Sequence, residues 1–187
     1  MVGDVDVRDY DLVSLRDEVA VVLQKNILFT GTIKDNLRWG NKDASDEEIK
    51  RVCKLAQADD FIEQMPDKYD TMLSQGGTNV SGGQKQRISI ARAIAKDPKI
   101  YIFDDSFSAL DYKTDKTLRA TLKKETQNAT TLIVAQRIGT VRDADQIVVL
   151  DEGKAVGIGT HDELMQTCDV YREIAYSQLS EEELANA

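Results

Sequence analysis

Apolar residues along this chain fall into short runs and longer periodic patterns. Three runs of four or five mostly apolar residues are typical of buried parallel strands, and they lie at Val19–Leu23, Ile100–Phe103 and Thr131–Ala135. An apolar face with helical spacing precedes Pro98 and predicts a helix that ends at about Asp97. Strands that alternate with helices predict an α/β fold with a mostly parallel core sheet.

Helix starts can be recognised where Ser or Thr is followed three residues later by Glu or Gln. This capping-box pattern predicts helix starts at Ser45, Ser81 and Thr160. The helix after Thr160 is expected to reach about Gln178. Before it, the runs Gln146–Leu150 and Lys154–Ile158 predict an antiparallel hairpin around an Asp-Glu-Gly turn.

Composition narrows the classes of protein that fit. The 187 residues are 41% hydrophobic and carry 24 basic and 33 acidic side chains, a net charge of −9. Such an acidic chain argues against binding nucleic acid through bulk electrostatics. No apolar run is long enough to span a bilayer, so any membrane role is expected to come through a partner or another segment. Cys53 and Cys168 lack metal-ligand or redox spacing and are interpreted as packing residues of a reducing compartment.

The richest chemistry lies between Val80 and Asp105. Ser81 opens a helix, and the glycines after it leave backbone N–H groups exposed at the positive end of the helix dipole, which suits a phosphate. The strand that follows ends in Asp104 and Asp105, at the edge where open α/β sheets bind ligands. Carboxylates at that edge are typical Mg²⁺ ligands in phosphoryl transfer.

Val80–Gln84 followed by Ile100–Asp105 resembles the signature motif and Walker B strand of ATP-binding-cassette (ABC) proteins. Further resemblances cover nearly the whole chain. Ser108–Asp111 is similar to the family's D-loop, Gln24 with the segment after it resembles an exporter-type Q-loop, and Ser74–Asn79 resembles the X-loop that meets transmembrane domains. A simple glycine turn into the next helix is the alternative explanation of the last of these.

The resemblance implies one partial nucleotide-binding domain over residues 1–187, with a P-loop-NTPase-like ABC ATPase core. Its parts would be the Q-loop at about 24–37, a helical subdomain at about 44–97, Walker B and D-loop at 100–111, a switch region at 131–142 and a C-terminal hairpin and helix at 146–179. The implied cofactors are ATP and Mg²⁺.

Residue roles follow from the same resemblance. Asp104 and Gln24 would serve Mg²⁺, and Asp105 and Gln136 are the candidate catalytic residues. The candidate nucleotide-binding residues are Gln24, Ser81, Gly82, Gly83, Gln84 and Asp111. His161, the only histidine, lies at a capped helix start typical of the family and is expected to be structural.

One family feature is missing from the 187 residues, because they contain no Gly-x-x-x-x-Gly-Lys-Ser/Thr phosphate loop, or Walker A. Val2–Tyr10 resembles the strand and turn that follow this loop, so the chain is expected to begin after it, with the front of the domain absent. We therefore expect the chain alone to bind ATP weakly, to be nearly inactive as an ATPase and to have an incompletely covered sheet.

Two positions depart from the family pattern. Asp105 occupies the place of a glutamate that polarises the attacking water, and its shorter side chain would fall about 1 Å short, a displacement that can cost ~10²-fold in rate. Gln136 occupies the place of a histidine that contacts the γ-phosphate. Together they suggest a degenerate, slow site of the kind found in one half of heterodimeric exporters. Tolerated substitutions in a working ATPase are the alternative.

The implied partners are a second nucleotide-binding domain, arranged head to tail, and the transmembrane domains of an exporter, which would hold the chain at the cytoplasmic side of a membrane. Two other classes remain open, a soluble non-transport ABC ATPase and a truncated, inert or regulatory product. The acidic end Ser180–Ala187 is expected to be a solvated or frayed terminus.

Overall fold

The computed structural model describes residues 1–178, which form two compact units that divide after Val134. The predicted terminus Ser180–Ala187 lies outside the described residues. The helices of the first unit are α1 Leu12–Asp17, α2 Ile33–Arg38, α3 Asp46–Leu55, α4 Asp59–Glu63, α5 Gly82–Lys96 and α6 Tyr112–Glu125. Its strands are β1 Val19–Val22, β2 Gly31–Thr32, β3 Met72–Leu73, β4 Ile100–Asp104 and β5 Thr130–Val134.

The central sheet of the first unit has the order β1-β4-β5, and both pairs are parallel. Val22 lies opposite Phe103, and Phe103 lies opposite Ile133, so the carboxyl ends of the three strands meet at one edge. A separate two-stranded antiparallel sheet joins β2 to β3. The predicted parallel core is confirmed, whereas Val2–Tyr10 forms only an isolated bridge, Val2 to Val5, before a short 3-10 helix.

Helix α5 is the centre of the first unit's packing. The predicted apolar face is buried, and Gln86, Ser89 and Ile90 are buried with it. It packs against α2, α3 and β1. Ser81 is its N-cap in a reciprocal capping box with Gln84, and the helix ends before Asp97, both as the sequence predicts. Asp97 itself adopts a left-handed conformation.

The prediction that the run at 131–135 is buried is wrong. Only Ile133 of β5 is partly buried, and Leu132 and Val134 are 54% and 51% exposed. The physical reason is that β5 is an edge strand, bonded to β4 alone among the described strands. At the opposite edge, Val21 is also 51% exposed. The expected incomplete covering of the sheet is therefore present.

The second unit contains the predicted hairpin, which pairs β6 (Ile147–Asp151) with β7 (Lys154–Gly159). The helices of this unit are α7 Ile138–Val141, α8 His161–Thr167 and α9 Asp169–Gln178. The single helix expected from Thr160 to about Gln178 is thus two helices, because Cys168 adopts an extended conformation.

The residues around the break at Cys168 pack closely on the hairpin. A side-chain carbon on Gly157 of β7 would lie 2.9 Å from Cys168 Sγ and 2.9 Å from Leu164 Cδ2. The helix pair therefore lies directly on the hairpin backbone. Both cysteines of the chain are free and buried, as expected of packing residues, and burial raises the pKa of Cys53 to about 12.

Candidate functional site

Asp104 and Asp105 lie at the edge where the three parallel strands end. The backbone N–H of Asp105 donates to Val134 O at 2.8 Å, and Ser106 Oγ donates to Val22 O at 2.7 Å. The acidic turn is thereby bonded to both neighbouring strands. Asp105 has a φ of 45°, a left-handed conformation that Asp tolerates better than most residues.

Gln24 and Asp105 form the central contact of the site. Gln24 leaves β1 at the same edge, and its Nε2 donates to Asp105 Oδ2 at 2.8 Å. The bond joins two candidate residues that are 81 positions apart. The bond does not use Gln24 Oε1, and both carboxylates carry oxygens that can act as metal ligands. Mg²⁺ prefers oxygen ligands of this kind.

No cluster of three or more metal-ligating side chains (His, Cys, Asp or Glu) is present among residues 1–178. The pair Asp104 and Asp105 with the Gln24 amide is nevertheless a suitable set, because Mg²⁺ is commonly held by one or two carboxylates while water and phosphate oxygens complete its shell.

The segment after Gln24 is held at two further points. Asn26 Nδ2 donates to Gln86 Oε1 on α5 at 2.6 Å. The buried Asn36 side chain accepts from Phe29 N at 2.8 Å and donates to Phe29 O at 2.9 Å, which fixes the Phe29 backbone. The segment therefore connects the acidic turn, helix α5 and the start of α2.

The turn at 74–79 contacts the same segment. Gly76 N donates to Leu28 O at 3.1 Å. A side-chain carbon on Gly77 would lie 3.1 Å from Leu28 Cδ1, and both glycines have positive φ angles of 70° and 62°. Glycine is suited to these positions because it adopts such angles without a steric penalty and allows the close approach.

The signature turn presents an open helix end. The capping box uses the N–H groups of Ser81 and Gln84, and a side-chain carbon on Gly82 would meet nothing within 4 Å. One on Gly83 would lie 3.1 Å from Ala109 O, so the turn packs against the D-loop backbone. Within residues 1–178, no hydrogen bond joins Ser81–Gln84 to Asp104 or Asp105.

The remaining candidates have local partners of their own. Asp111 is the N-cap of α6, where the bond from Thr114 N holds the pKa of its carboxyl below the usual range. Gln136 belongs to the second unit, where Gln178 Nε2 donates to its backbone oxygen at 2.9 Å. His161 is buried, and its Nδ1 lies 2.8 Å from the Tyr171 hydroxyl, consistent with the expected structural role.

Sequence reasoning missed an aromatic cluster beside the Q-loop segment. The rings of Phe29 and Trp39 lie 4.9 Å apart, and the Arg92 guanidinium lies 5.7 Å from the Phe29 ring centroid. Trp39 is 68% exposed and Phe29 44%. The only signal in the sequence was Trp39 itself, a large apolar residue that does not belong to the buried apolar face of α2.

None of the helices in the described part of the chain has the length and apolar content needed to cross a bilayer.

Comparison with known proteins gives a consistent picture. The family model of the ABC transporter (ABC_tran) matches residues 2–108. The ATP-dependent lipid A-core flippase of Desulfotalea psychrophila is 44% identical over 161 residues, 86% of this chain and 28% of that protein. Human ATP-binding cassette sub-family B member 5 is 42% identical over 178 residues, 95% of this chain and 14% of that protein.

An ABC transporter ATP-binding protein of Bacillus subtilis, YknU, is 44% identical over 180 residues, 96% of this chain. The chain spans less than a third of the length of each of these relatives.

A solved structure agrees with the sequence comparisons. It is described as a bacterial Atm1-family ABC exporter with ATP bound, and it matches 94% of this chain and 31% of its own with a TM-score of 0.90 at 36% identity. The predicted α/β fold of the ABC ATPase type is thus confirmed. Since the family model also covers more than half of the residues, this chain belongs to the ABC transporter family.

Proposed function

We propose that this chain is part of a nucleotide-binding domain that couples ATP binding and hydrolysis to export through transmembrane domains. The bond between Gln24 and Asp105 carries the proposal. It ties the acidic turn at the sheet edge to a segment that runs, within a few residues, to the exposed Phe29 side chain. A change in the position of the Asp105 carboxylate would therefore be transmitted along this segment to the exposed side chain of Phe29, which a partner could contact.

Asp104, Asp105 and Gln24 would hold Mg²⁺ bound to nucleotide phosphates. The ion would neutralise charge that develops on the transferred phosphoryl group. Asp104 would contact it directly or through water, and Gln24 would keep Asp105 in place through its amide N–H. These roles need no movement of the sheet, because the strand ends already bring the side chains together.

The signature turn would act on a nucleotide held mainly by a second domain, in a head-to-tail pair. Two observations support this arrangement. Within residues 1–178 the turn forms no hydrogen bond with Asp104 or Asp105. A side-chain carbon on Gly82 would meet no atom within 4 Å. Ser81, Gly82, Gly83 and Gln84 would supply amides and a hydroxyl to a phosphate, and Asp111 would lie near the junction of the two domains.

The membrane partner would contact the surface formed by Phe29 and the turn at 75–76. The bond from Gly76 N to the backbone oxygen of the buried Leu28 joins the two loops, and Phe29 is 44% exposed. This placement would hold the chain at the cytoplasmic side of a membrane. The net charge of −9 gives no support to a nucleic-acid partner.

We further propose that the nucleotide site to which Asp105 belongs is slow, in one half of a heterodimer. Asp105 Oδ2 accepts a hydrogen bond from Gln24 Nε2, so this oxygen is already engaged and is not open to an attacking water. Gln136 has no proton to exchange at physiological pH. ATP would then be turned over mainly at the site that this chain's signature turn completes.

The test is the ATPase rate of the assembled exporter with single substitutions in this chain. Ser81→Ala should lower turnover by about a hundredfold or more, as expected when a transition-state donor is lost. Asp105→Asn should change it little, far less than the about 10²–10⁴-fold loss expected for a general base. Ser45→Ala is the matched control, because Ser45 caps α3 as Ser81 caps α5.

If Asp105→Asn abolished turnover and Ser81→Ala did not, the slow-site proposal would be wrong and a working ATPase with tolerated substitutions would replace it. Purification tests the transport role separately. A transporter domain should co-purify with membrane domains, whereas a non-transport ABC ATPase or an inert product should not.

A further inference from the structure

The turn after β4 has a strained backbone at Asp105. Its φ of 45° lies in the left-handed region, where residues other than glycine are uncommon. Such a conformation persists only where the surrounding contacts over-determine it, and it is found preferentially at functional sites. The contacts that hold Asp105 in this conformation therefore bear on the chemistry of its site.

Asp105 is held through three of its polar groups. Its backbone N–H donates to Val134 O at 2.8 Å, its carbonyl oxygen accepts from Ser108 Oγ at 3.0 Å, and its Oδ2 accepts from Gln24 Nε2 at 2.8 Å. The residue is thus bonded to the end of β5, to its own turn and to the segment that follows β1.

Ser106 supplies the contact that closes the turn against β1. Its side chain is fully buried, and its Oγ donates to Val22 O at 2.7 Å. Val22 lies two residues before Gln24, and Ser106 follows Asp105 directly. This bond and the bond between Gln24 and Asp105 therefore close a small ring, made of three residues of one segment and two of the other. So small a ring leaves the backbone at Asp105 little freedom to change its conformation.

The left-handed turn decides where the Asp105 carboxylate points. Side chains alternate between the two faces of a strand, so a residue 105 that continued β4 in extended form would lie on the same buried face as Phe103. The turn instead aims the carboxylate at the end of β1, where it meets Gln24. The position of this carboxylate is therefore set by the backbone as well as by the length of the side chain.

We propose that Ser106 is a positioning residue that keeps the nucleotide site of Asp105 slow, because it holds Asp105 in the left-handed conformation with its carboxylate on Gln24. The inference rests on the proposed slow site and names the contact that makes it slow. A glutamate at position 105 would start from the same backbone in the same direction, so it would press on Gln24 without freeing an oxygen for the attacking water. The longer side chain should become effective only when Ser106 no longer holds the turn.

The experiment measures ATP turnover by the site of Asp105 in the assembled exporter. Ser81→Ala is the background, because it should remove most turnover at the other site and make the rate of this one measurable. In that background, Asp105→Glu alone and Ser106→Ala alone should each change the rate little. The two together should raise it by about tenfold or more, which is part of the ~10²-fold that a displacement of about 1 Å can cost.

The split between kcat and KM separates positioning from a general structural effect. Release of the carboxylate acts on the chemical step, so kcat should rise while the KM for ATP stays the same. Damage to the fold would lower kcat or raise KM. Thr126→Val is the matched control, because it also removes a buried hydroxyl that donates to a backbone oxygen, here Leu122 O at 2.9 Å. Combined with Asp105→Glu, it should not raise kcat.

Two outcomes would overturn the inference. A full rise with Asp105→Glu alone would show that the length of the side chain, and not the turn, limits the rate. No rise in the double variant would show that the turn does not limit it either. If Ser106→Ala does not fold, Ser108→Ala releases the turn from an exposed position. With Asp105→Glu it should give a smaller rise in kcat, and no rise would overturn the inference in the same way.

Failure of the proposed function would be seen in other variants. If Ser81→Ala left the turnover of the parent exporter unchanged, the signature turn would not complete the faster site. If Asp105→Asn in the parent exporter abolished turnover, the site of Asp105 would not be slow. In either case the inference falls with the proposed function, whatever the Ser106 variants do.

Discussion

At the scale of single residues, the site depends on side-chain amides. Gln24 bonds to Asp105, Asn26 bonds to Gln86, and Asn36 holds the Phe29 backbone. An amide can donate and accept at once, so one side chain can satisfy two neighbouring groups. These contacts explain why the segment at 24–30 has a defined path although it contains no helix or strand.

His161 supports a prediction of pH dependence. Burial, followed by the charge of Arg142, lowers the pKa of His161, while Asp162 and Asp143 oppose the shift. Because the folded pKa lies below the unfolded one, the unfolded chain binds more protons on acidification. Stability from neutral His161 should be present above the unfolded pKa and be lost as the pH falls through and below it.

The measurement is the thermal midpoint of the 187-residue chain at neutral and at mildly acidic pH. His161→Gln keeps a polar side chain near the Tyr171 hydroxyl but removes the titrating ring. The variant should show a smaller drop in midpoint than the parent chain. An equal drop in both proteins would show that other groups cause the acid sensitivity.

Residue roles were predictable from sequence only where a local motif fixes them. Ser81 and Thr160 are N-caps in the structure because the capping box involves residues only three positions apart. Asp111 was predicted to bind nucleotide, and the structure shows that it is also the N-cap of α6. Arg92 gave no signal, because its unusual environment comes from Phe29, which is far away in sequence.

At the scale of elements, α2 and α5 approach each other closely at Gly40, directly after α2. A side-chain carbon on Gly40 would lie 2.2 Å from Arg92 O. That atom is helix backbone and cannot move aside without shifting α5. Gly40 therefore allows the contact between the two helices.

Gly40→Ala should destabilise the chain by about 2 kcal/mol or more, because the added methyl group forces the helices apart. Urea unfolding followed by circular dichroism measures the change. Gly139→Ala on α7 is the control, since a carbon there meets nothing within 4 Å and alanine favours a helix by up to about 1 kcal/mol. Equal stability of Gly40→Ala and the parent chain would show that α5 can shift freely.

Element types were largely predictable, whereas burial was less so. The parallel strands, the hairpin and the helix from Ser81 follow from periodicity and caps. The exposure of β5 could not be predicted, since an apolar run does not reveal whether its strand has neighbours on both sides. Similarly, Glu48 bonds to Arg51 instead of closing the predicted capping box at Ser45, because a salt bridge competes with the cap.

At the scale of the whole molecule, the sheet exposes apolar side chains that parallel sheets usually bury. Val21, Leu132 and Val134 are each about half exposed. Strand order also could not be deduced from the sequence, because the pairing of β4 with both β1 and β5 joins segments far apart along the chain. The exposed sheet has a direct consequence in solution.

The isolated 187-residue chain should self-associate as its concentration rises. The exposed edge strand β5 and its apolar residues offer both backbone and side-chain contacts. Sedimentation velocity over a concentration series measures this association. Leu132→Thr combined with Val134→Thr should weaken it, because the changes remove apolar surface and retain β-propensity.

Val5→Thr on the first unit is a control, because this residue is exposed but lies outside the sheet. A parent chain that sediments as a monomer at every concentration would show that the exposed strand residues do not drive association.

The Q-loop segment is tied to Asp105 at its start, to Gln86 two residues later and to Asn36 at Phe29. Each of these hydrogen bonds fixes one point of the segment, so the backbone between two such points must span a fixed distance. An inserted or deleted residue would break at least one tie, whereas a changed side chain between them need not. Relatives of this chain should therefore vary in the identity of the exposed residues 25 and 27 more readily than in the length of the segment, and loop grafts between relatives should succeed only when that length is kept.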